Sequence, residues 1–386
     1  KDYGGIGGLK TVSIRSLGAQ HTVVGYDGIA VTDCQTGQVD IGRFSLENVD
    51  RLMLSNGQSD QIFQPARFFA SAGILNIQTL TPVFQNNKSV NLNASVKSGS
   101  WGLVNPSVLY EQKLGEKWAL TADAEWMSSD GHYPYTLYYG EEGDQSSREK
   151  RKNTEVQTFR AEAGLFGNFS DTEQWKLKAY YYQSSRGLPN ATTLYYDYSS
   201  QHLWDKNIFI QSQYKKEFSR KWVFQASGKW NWTYQHYLDP DYKGTTGQSE
   251  NSYFGLEGMS NPVMILDLQK RMRYNTQIFG NAALTFHLAD GLDLKTQFGV
   301  DSHNTTYRGY SSIELNNISM PNGWAEYQNW NTFYWQEETY LTYNKVFGDH
   351  RLNAMAGLSW QERTQRWDKS YTQGFSDDFY ENNNMS

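Results

Sequence analysis

The stretch Trp118-Ala-Leu-Thr-Ala-Asp-Ala-Glu-Trp126 decides the fold. Trp118, Leu120, Ala122, Ala124 and Trp126 fall on one side, and Ala119, Thr121, Asp123 and Glu125 on the other. A strict period of two makes a β-strand with one apolar and one polar face. Aromatic rings close both ends of the apolar stripe, where a membrane-spanning strand meets its two water interfaces. The pattern recurs in Trp175, Leu177, Ala179 and Tyr181, opposite Lys176, Lys178, Tyr180 and Tyr182. It returns in Trp222, Phe224 and Ala226 opposite Gln225, Ser227 and Lys229, and in Ile278, Gly280, Ala282, Leu284 and Phe286. Leu352, Ala354, Ala356, Leu358 and Trp360 repeat it opposite Asn353, Ser359 and Gln361. Residues 332–346 fit less well, because Glu337 and Glu338 put a charge on either face.

The connections between these segments alternate in length. Short polar links fall at 114–117, 170–173, 218–221, 289–291 and 347–350; between them lie longer ones near 130–153, 186–204, 238–268 and 310–330. Outer-membrane barrels of bacteria have short periplasmic turns and long extracellular loops. A sandwich or propeller has no physical reason to keep every second connection long. About eleven strands are expected over residues 86–386, many longer than the roughly 9–11 residues that a tilted spanning strand requires. Single-chain barrels close on an even number of strands, so an odd count predicts an open piece of a larger barrel.

Composition agrees. The chain carries 13 Trp, 27 Tyr and 19 Phe, yet its mean hydropathy is -0.71, a pairing found in soluble carbohydrate binders and in barrels whose lipid and lumen faces average out. No run approaches 18 apolar residues, so no membrane-spanning helix is expected. A net charge of -6 argues against nucleic acid as a partner. The single Cys34 excludes an intramolecular disulfide. There is no G-x-S-x-G, no P-loop and no H-E-x-x-H, and Gly4-Gly-Ile-Gly-Gly8 reads as a turn; no catalysis and no cofactor are expected.

Residues 1–80 differ in texture: short apolar runs (Val12–Ile14, Thr22–Val24, Val49–Leu54, Ile74–Ile77) punctuated by Gly and Asn predict a small mixed α/β domain. Phe44-Ser-Leu-Glu-Asn-Val49 is read as a short helix with Ser45 as its N-cap. Neither Lys1 nor the polar tail 381–386 reads as a natural terminus.

Val12-Ser-Ile-Arg-Ser-Leu-Gly18, His21-Thr-Val-Val-Gly-Tyr-Asp-Gly-Ile29, Phe44-Ser-Leu-Glu-Asn-Val-Asp50, Asn56-Gly57 and Gly73-Ile-Leu-Asn-Ile77 resemble the plug domain of TonB-dependent outer-membrane receptors. Arg15, Asp27, Gly28, Gly57, Gly73, Asn76 and Ile77 match that family's pattern, while Ser16, Gly25, Tyr26, Gln58 and Ala72 depart from it. The resemblance implies a plug over residues 1–80 and a β-barrel domain over 86–386, about half of a barrel of about 22 strands. It also implies residence in the bacterial outer membrane, partnership with TonB and its inner-membrane energising complex, and uptake of an extracellular small molecule. A surface lipoprotein is a further partner of this kind. The wording of Gly37-Gln-Val-Asp-Ile-Gly-Arg-Phe-Ser-Leu46 is most similar to cobalamin-receptor-type members from Bacteroidota-like bacteria, with ferric siderophores as the next cargo.

The resemblance puts apical plug loops at Gly18–His21 and Thr32–Gln38, so Gln20, His21, Asp33, Gln35, Thr36 and Gln38 are ligand-contact candidates; the alternative is plain turns facing water. In the outer loops, Tyr133, Tyr135, Tyr138 and Tyr139, and Tyr195, Tyr196 and Tyr198, can stack on a flat ligand or else form the upper girdle. Asp239 and Asp241, and the acidic group Glu141, Glu142 and Asp144, are weak calcium candidates without the spacing of a dedicated loop. His21 has no second ligand at metal spacing. Besides active import, two readings stay open at this point: a passive outer-membrane channel or adhesin, and a soluble all-β glycan-binding protein.

Overall fold

The computed structural model describes residues 2–3, 6–14, 18–31, 39–56, 73–86, 88–139, 145–189, 199–238, 269–313, 322–348 and 350–378. The N-terminal part is built from β1 (Asp2–Tyr3), β2 (Leu9–Lys10), β3 (Thr22–Tyr26), β4 (Ile29–Val31), β5 (Val49–Asn56) and β6 (Gly73–Thr79). β1 pairs with β2, and the other four form a sheet in the order β4-β3-β6-β5, with β3 and β6 parallel. The turn from β3 to β4 is Asp27-Gly28, with φ of 51° and 79°, both in the left-handed region. That geometry matches the twist of a hairpin, and Asp-Gly is the pair that adopts it at least cost. The Asp27 carboxylate then accepts the Thr79 backbone N–H at 2.8 Å, tying the turn to the end of β6.

The rest is one antiparallel wall: β7 (Val90–Gly99), β8 (Leu103–Lys113), β9 (Trp118–Ser129), β12 (Val156–Ser170), β13 (Glu173–Gly187), β14 (His202–Ser219), β15 (Trp222–Leu238), β16 (Gln269–Ala289), β17 (Leu292–Ser311), β18 (Trp324–Phe347) and β19 (His350–Gln373). Among the described residues these 11 strands pair in chain order, and the wall ends in two edges, β7 and β19, each paired there on one side. A separate hairpin of β10 (Pro134–Tyr139) and β11 (Gln145–Lys150) stands in the link between β9 and β12. The expected strand number and the short turns at 114–117, 171–172, 220–221 and 290–291 are all present. One connection on the loop side, between β7 and β8, is also short.

The faces are assigned as the alternation predicts. In β9, Ala119, Thr121 and Asp123 are buried while Ala122 is exposed. In β13, Lys178, Tyr180, Tyr182 and Ser184 are buried while Ala179 is exposed. The polar face is therefore the inner one, and large apolar groups such as Leu92, Val96, Ile210, Ile278, Phe298 and Leu358 lie bare on the outer face. A water-soluble sheet buries the opposite set. Outward rings of neighbouring strands meet near the short turns: Trp118 with Phe169 at 5.1 Å and with Trp175 at 5.7 Å, Phe218 with Trp222 at 4.1 Å, and Trp222 with Phe286 at 6.3 Å. They form the aromatic belt expected at a membrane interface. Glu337 lies on the outer face and accepts the Thr296 and Thr339 hydroxyls at 3.1 and 2.7 Å, which explains the poorer alternation of that segment.

The helix expected at Phe44–Val49 does not form. A 3-10 turn over Ile41–Arg43 precedes it, and the chain then turns into β5. The Ser45 hydroxyl receives the Glu47 N–H at 3.1 Å and donates to Glu125 of β9 at 2.6 Å, so it closes a local turn and joins the wall instead of starting a helix.

Candidate functional site

The small N-terminal sheet is held against the inner wall by a seam of polar contacts. Lys178 of β13 is 3% exposed and meets two carboxylates, Asp27 at 2.8 Å and Glu162 of β12 at 2.9 Å, and it also donates to the Thr79 hydroxyl. Glu162 accepts the Tyr26 hydroxyl at 2.6 Å and the Asn48 amide at 3.3 Å. The same amide reaches Asp123 of β9 at 3.0 Å. Glu125 binds Arg160 and the Ser45 hydroxyl, and Gln213 of β14 donates to the Asp27 carbonyl. Burial of a carboxylate pushes its pKa up, but Lys178 and the Thr79 donors outweigh this and hold Asp27 below its usual range. Burial, followed by the adjoining Glu162 carboxylate, raises the Tyr26 phenol well above its ordinary value.

Aromatic rings fill the middle of the seam. Tyr26 stacks on Phe44 at 4.9 Å, Tyr180 stacks on Phe209 at 4.5 Å, and Tyr26 meets Phe209 edge-on at 5.8 Å. Beyond them, toward the long loops, lies a cavity of about 440 Å³ lined by Asp40, Arg43, Arg186, Asp205, Asn207 and Arg273 among others. Arg186 braces its margin, donating to the Gly7 carbonyl at 2.9 Å and pairing with Asp205 at 2.9 Å. A second cavity of about 300 Å³ lies near the turn side, beside Gly28, Lys176 and Gln213.

The residues singled out from sequence are distributed as follows. Gln20 and His21 lie in a 3-10 turn, Ala19–His21, at the start of β3, with His21 exposed. β3 runs from there toward the short-turn side, since its far end reaches Gln213. Asp33, Gln35, Thr36, Gln38, Tyr195, Tyr196, Tyr198, Asp239 and Asp241, with Glu141, Glu142 and Asp144, lie outside the described residues. Tyr133 packs edge-on against Trp101 at 6.0 Å. In β10, Tyr135 and Tyr139 alternate with the exposed Tyr138, so the cluster is divided between the two faces of a hairpin; Arg151 lies 5.9 Å from the Tyr135 ring. Among the described residues no group of three or more His, Cys, Asp or Glu is placed to hold a metal.

Sequence reading missed the seam itself. Lys178 stood out only as a member of a polar face and Asp27 only as a position of the plug pattern. Partners lie as far apart as Tyr26 and Glu162 in the chain. The usable signal was chemical: charged side chains on the inner face of spanning strands need partners, because a buried ion without one is strongly unfavourable.

No family model matches the chain. Over 82 residues, 21% of this chain and 8% of the relative, it is 35% identical to TonB-dependent receptor P3 of Formosa agariphila. In three dimensions it is similar to the copper transporter OprC, with a TM-score of 0.58 and 12% identity over 95% of this chain and 55% of that one. It is similar to FpvA of P. aeruginosa bound to a heterologous iron-loaded pyoverdine (TM-score 0.56, 12% identity, 92% and 47%). It is also similar to the ferric yersiniabactin uptake receptor FyuA of Yersinia pestis (0.53, 10%, 94% and 56%). The chain spans about half the length of these structures. Its fold is that of the plugged β-barrels of the bacterial outer membrane, with the N-terminal sheet as the plug. What the chain shares with TonB-dependent receptors is this fold and, over 82 residues, sequence.

Proposed function

We propose that this chain is the plug and part of the barrel of a receptor that imports a scarce, large nutrient by TonB-coupled active transport. The observation that carries the reading is the seam: around a small aromatic cluster, the plug meets the wall through ion pairs and hydrogen bonds centred on Lys178, Asp27 and Glu162. Such contacts can be exchanged for water or for one another as the plug shifts, whereas a wide apolar interface resists remodelling. The cargo we favour is metal-bearing, a ferric siderophore or a cobalamin-type corrinoid. The structurally similar copper transporter and ferric yersiniabactin uptake receptor weigh toward a metal-bearing cargo, and the sequence of residues 37–46 toward the corrinoid. Ligand contact falls to the apical turn with His21, to Thr32–Gln38 and to the tyrosines of the outer loops.

The test is uptake by cells carrying the complete gene, with labelled ferric chelates and corrinoids offered side by side. Uptake of one class should stop when TonB is deleted or the proton gradient is collapsed. Unaltered uptake without TonB would reject active import in favour of a passive channel.

A further inference from the structure

The loop-side and turn-side cavities lie on the same strands. On the wall, the first is lined by Asp205 and Asn207 of β14, Thr233 and Gln235 of β15, and Arg273 and Asn275 of β16. The second is lined by Gln213 of β14, Gln225 and Ser227 of β15 and Asn281 of β16, and from the plug by Gly28. Along each strand the two sets keep the same parity, so they share the inner face. A Cβ placed on Gly28 would meet nothing within 4 Å, so the plug turn borders open space there. An aromatic layer stands between the two cavities. Phe209 of β14, 1% exposed, falls between Asn207 and Gln213 on the inner face. Its ring stacks on Tyr180 at 4.5 Å, lies 4.1 Å from the Lys229 Nζ, and meets the ring of the plug's buried Tyr26 edge-on at 5.8 Å.

The plug is held unequally on its two flanks. Among the described residues its buried ion pairs and hydrogen bonds to the wall gather on β9, β12 and β13, at Asp123, Glu125, Glu162 and Lys178. Toward β14–β16 it meets the wall through the Tyr26–Phe209 ring contact and a hydrogen bond from Gln213 to the Asp27 carbonyl. Breaking a buried ionic group is far costlier than parting two rings that touch at an edge. The flank that yields first is therefore β14–β16. Parting Tyr26 from Phe209 joins the two cavities over Asn207, Gln211, Gln213 and Asn231, whose amides can replace the hydration of a passing polar solute. We propose that Tyr26 and Phe209 form the closed gate of a passage along the inner faces of β14, β15 and β16, from the loop-side cavity to the turn-side one. The passage deepens the uptake role proposed above and rests on it for what drives the rings apart, while the gate itself is testable without that role.

The experiment is current recording on the complete purified receptor in planar bilayers, with Cys34→Ser removing the native thiol and a small cationic methanethiosulfonate as the probe. The parent chain should stay silent, and Phe209→Ala or Tyr26→Ala should each open discrete currents. Tyr26→Phe, which keeps the ring, should not. With Ser227→Cys added, the probe should cut the Phe209→Ala current by about half or more. With Ala119→Cys it should not: Ala119 is level with Ser227 through the pairs Ala119–Phe166, Phe166–Lys176, Lys176–Gln213 and Gln213–Ser227, but on the fastened flank. Silence of both alanine variants, currents of the same size from the parent or from Tyr26→Phe, no block at Ser227→Cys, or equal block at Ala119→Cys would overturn the proposal. If Tyr26→Ala does not fold, Phe209→Ala, which leaves the ion pairs of the seam in place, decides the matter. The recordings need neither TonB nor a proton gradient, so a passage that maps elsewhere leaves the uptake reading standing, and TonB-independent uptake leaves the gate standing.

Discussion

A single ammonium group stands at the centre of the contacts between plug and wall. Lys178 donates to Asp27, Glu162 and Thr79 while almost wholly out of water. Removing one member of a buried ionic group strands the others, at about 3–5 kcal/mol. Lys178→Met should therefore lower stability by about that amount, read as a denaturant midpoint on the purified protein. Adding Asp27→Asn and Glu162→Gln to the same chain should recover most of the loss, because no charge is then left unpaired. Asp27 also gives the seam an acid limit. Its folded pKa is depressed, so its contribution is fully present above its ordinary value of 3.8 and is lost as pH falls through the lower folded value. Protection of the plug from limited proteolysis should hold at neutral pH and fade below about pH 4. A plug equally protected at pH 3 and pH 7 would contradict this.

Among the elements, β9 shows how far a strand can be read in advance. Its alternation is a property of the extended backbone, in which successive side chains point to opposite faces, so the inner and outer sets were legible without knowing a single contact. The outer set faces lipid, where a charge is costly. Ala122→Arg should destabilise the barrel by about 2–4 kcal/mol and reduce its insertion, whereas Thr136→Glu, opposite Arg148 on the exposed hairpin β10–β11, should stay within about 0.5 kcal/mol. Insertion can be followed by heat-modifiable mobility in gels. The short turns were equally legible, since brief polar links leave little choice of geometry. The segment after Arg43 was not. Ser45 is as good a cap as it is a turn former, and the choice was made by Glu125, a partner 80 residues away that no local pattern announces.

For the molecule as a whole, the wall could be anticipated and the site could not, for one physical reason. A wall strand carries its own record of what lies on each side, because lipid and water select different side chains. The seam is a matter of pairing between remote residues, and a Lys on a polar face looks the same whether it meets Asp27 or open water. The loop candidates had the same weakness: the tyrosines of 133–139 were grouped by composition, and the hairpin then turned alternate rings to opposite sides.

The unpartnered rims of the wall have a consequence of their own. Among the described residues, β19 offers 24 residues whose free side pairs with no strand, and β7 ends the other rim in the same way. Such a rim is a template on which another ribbon can zip. Expressed by itself in detergent, this polypeptide should join to a second copy rim to rim, and a cysteine introduced by Arg363→Cys midway along β19 should trap the pair as a disulfide. A species that stays single under oxidation would mean the rim is masked from within.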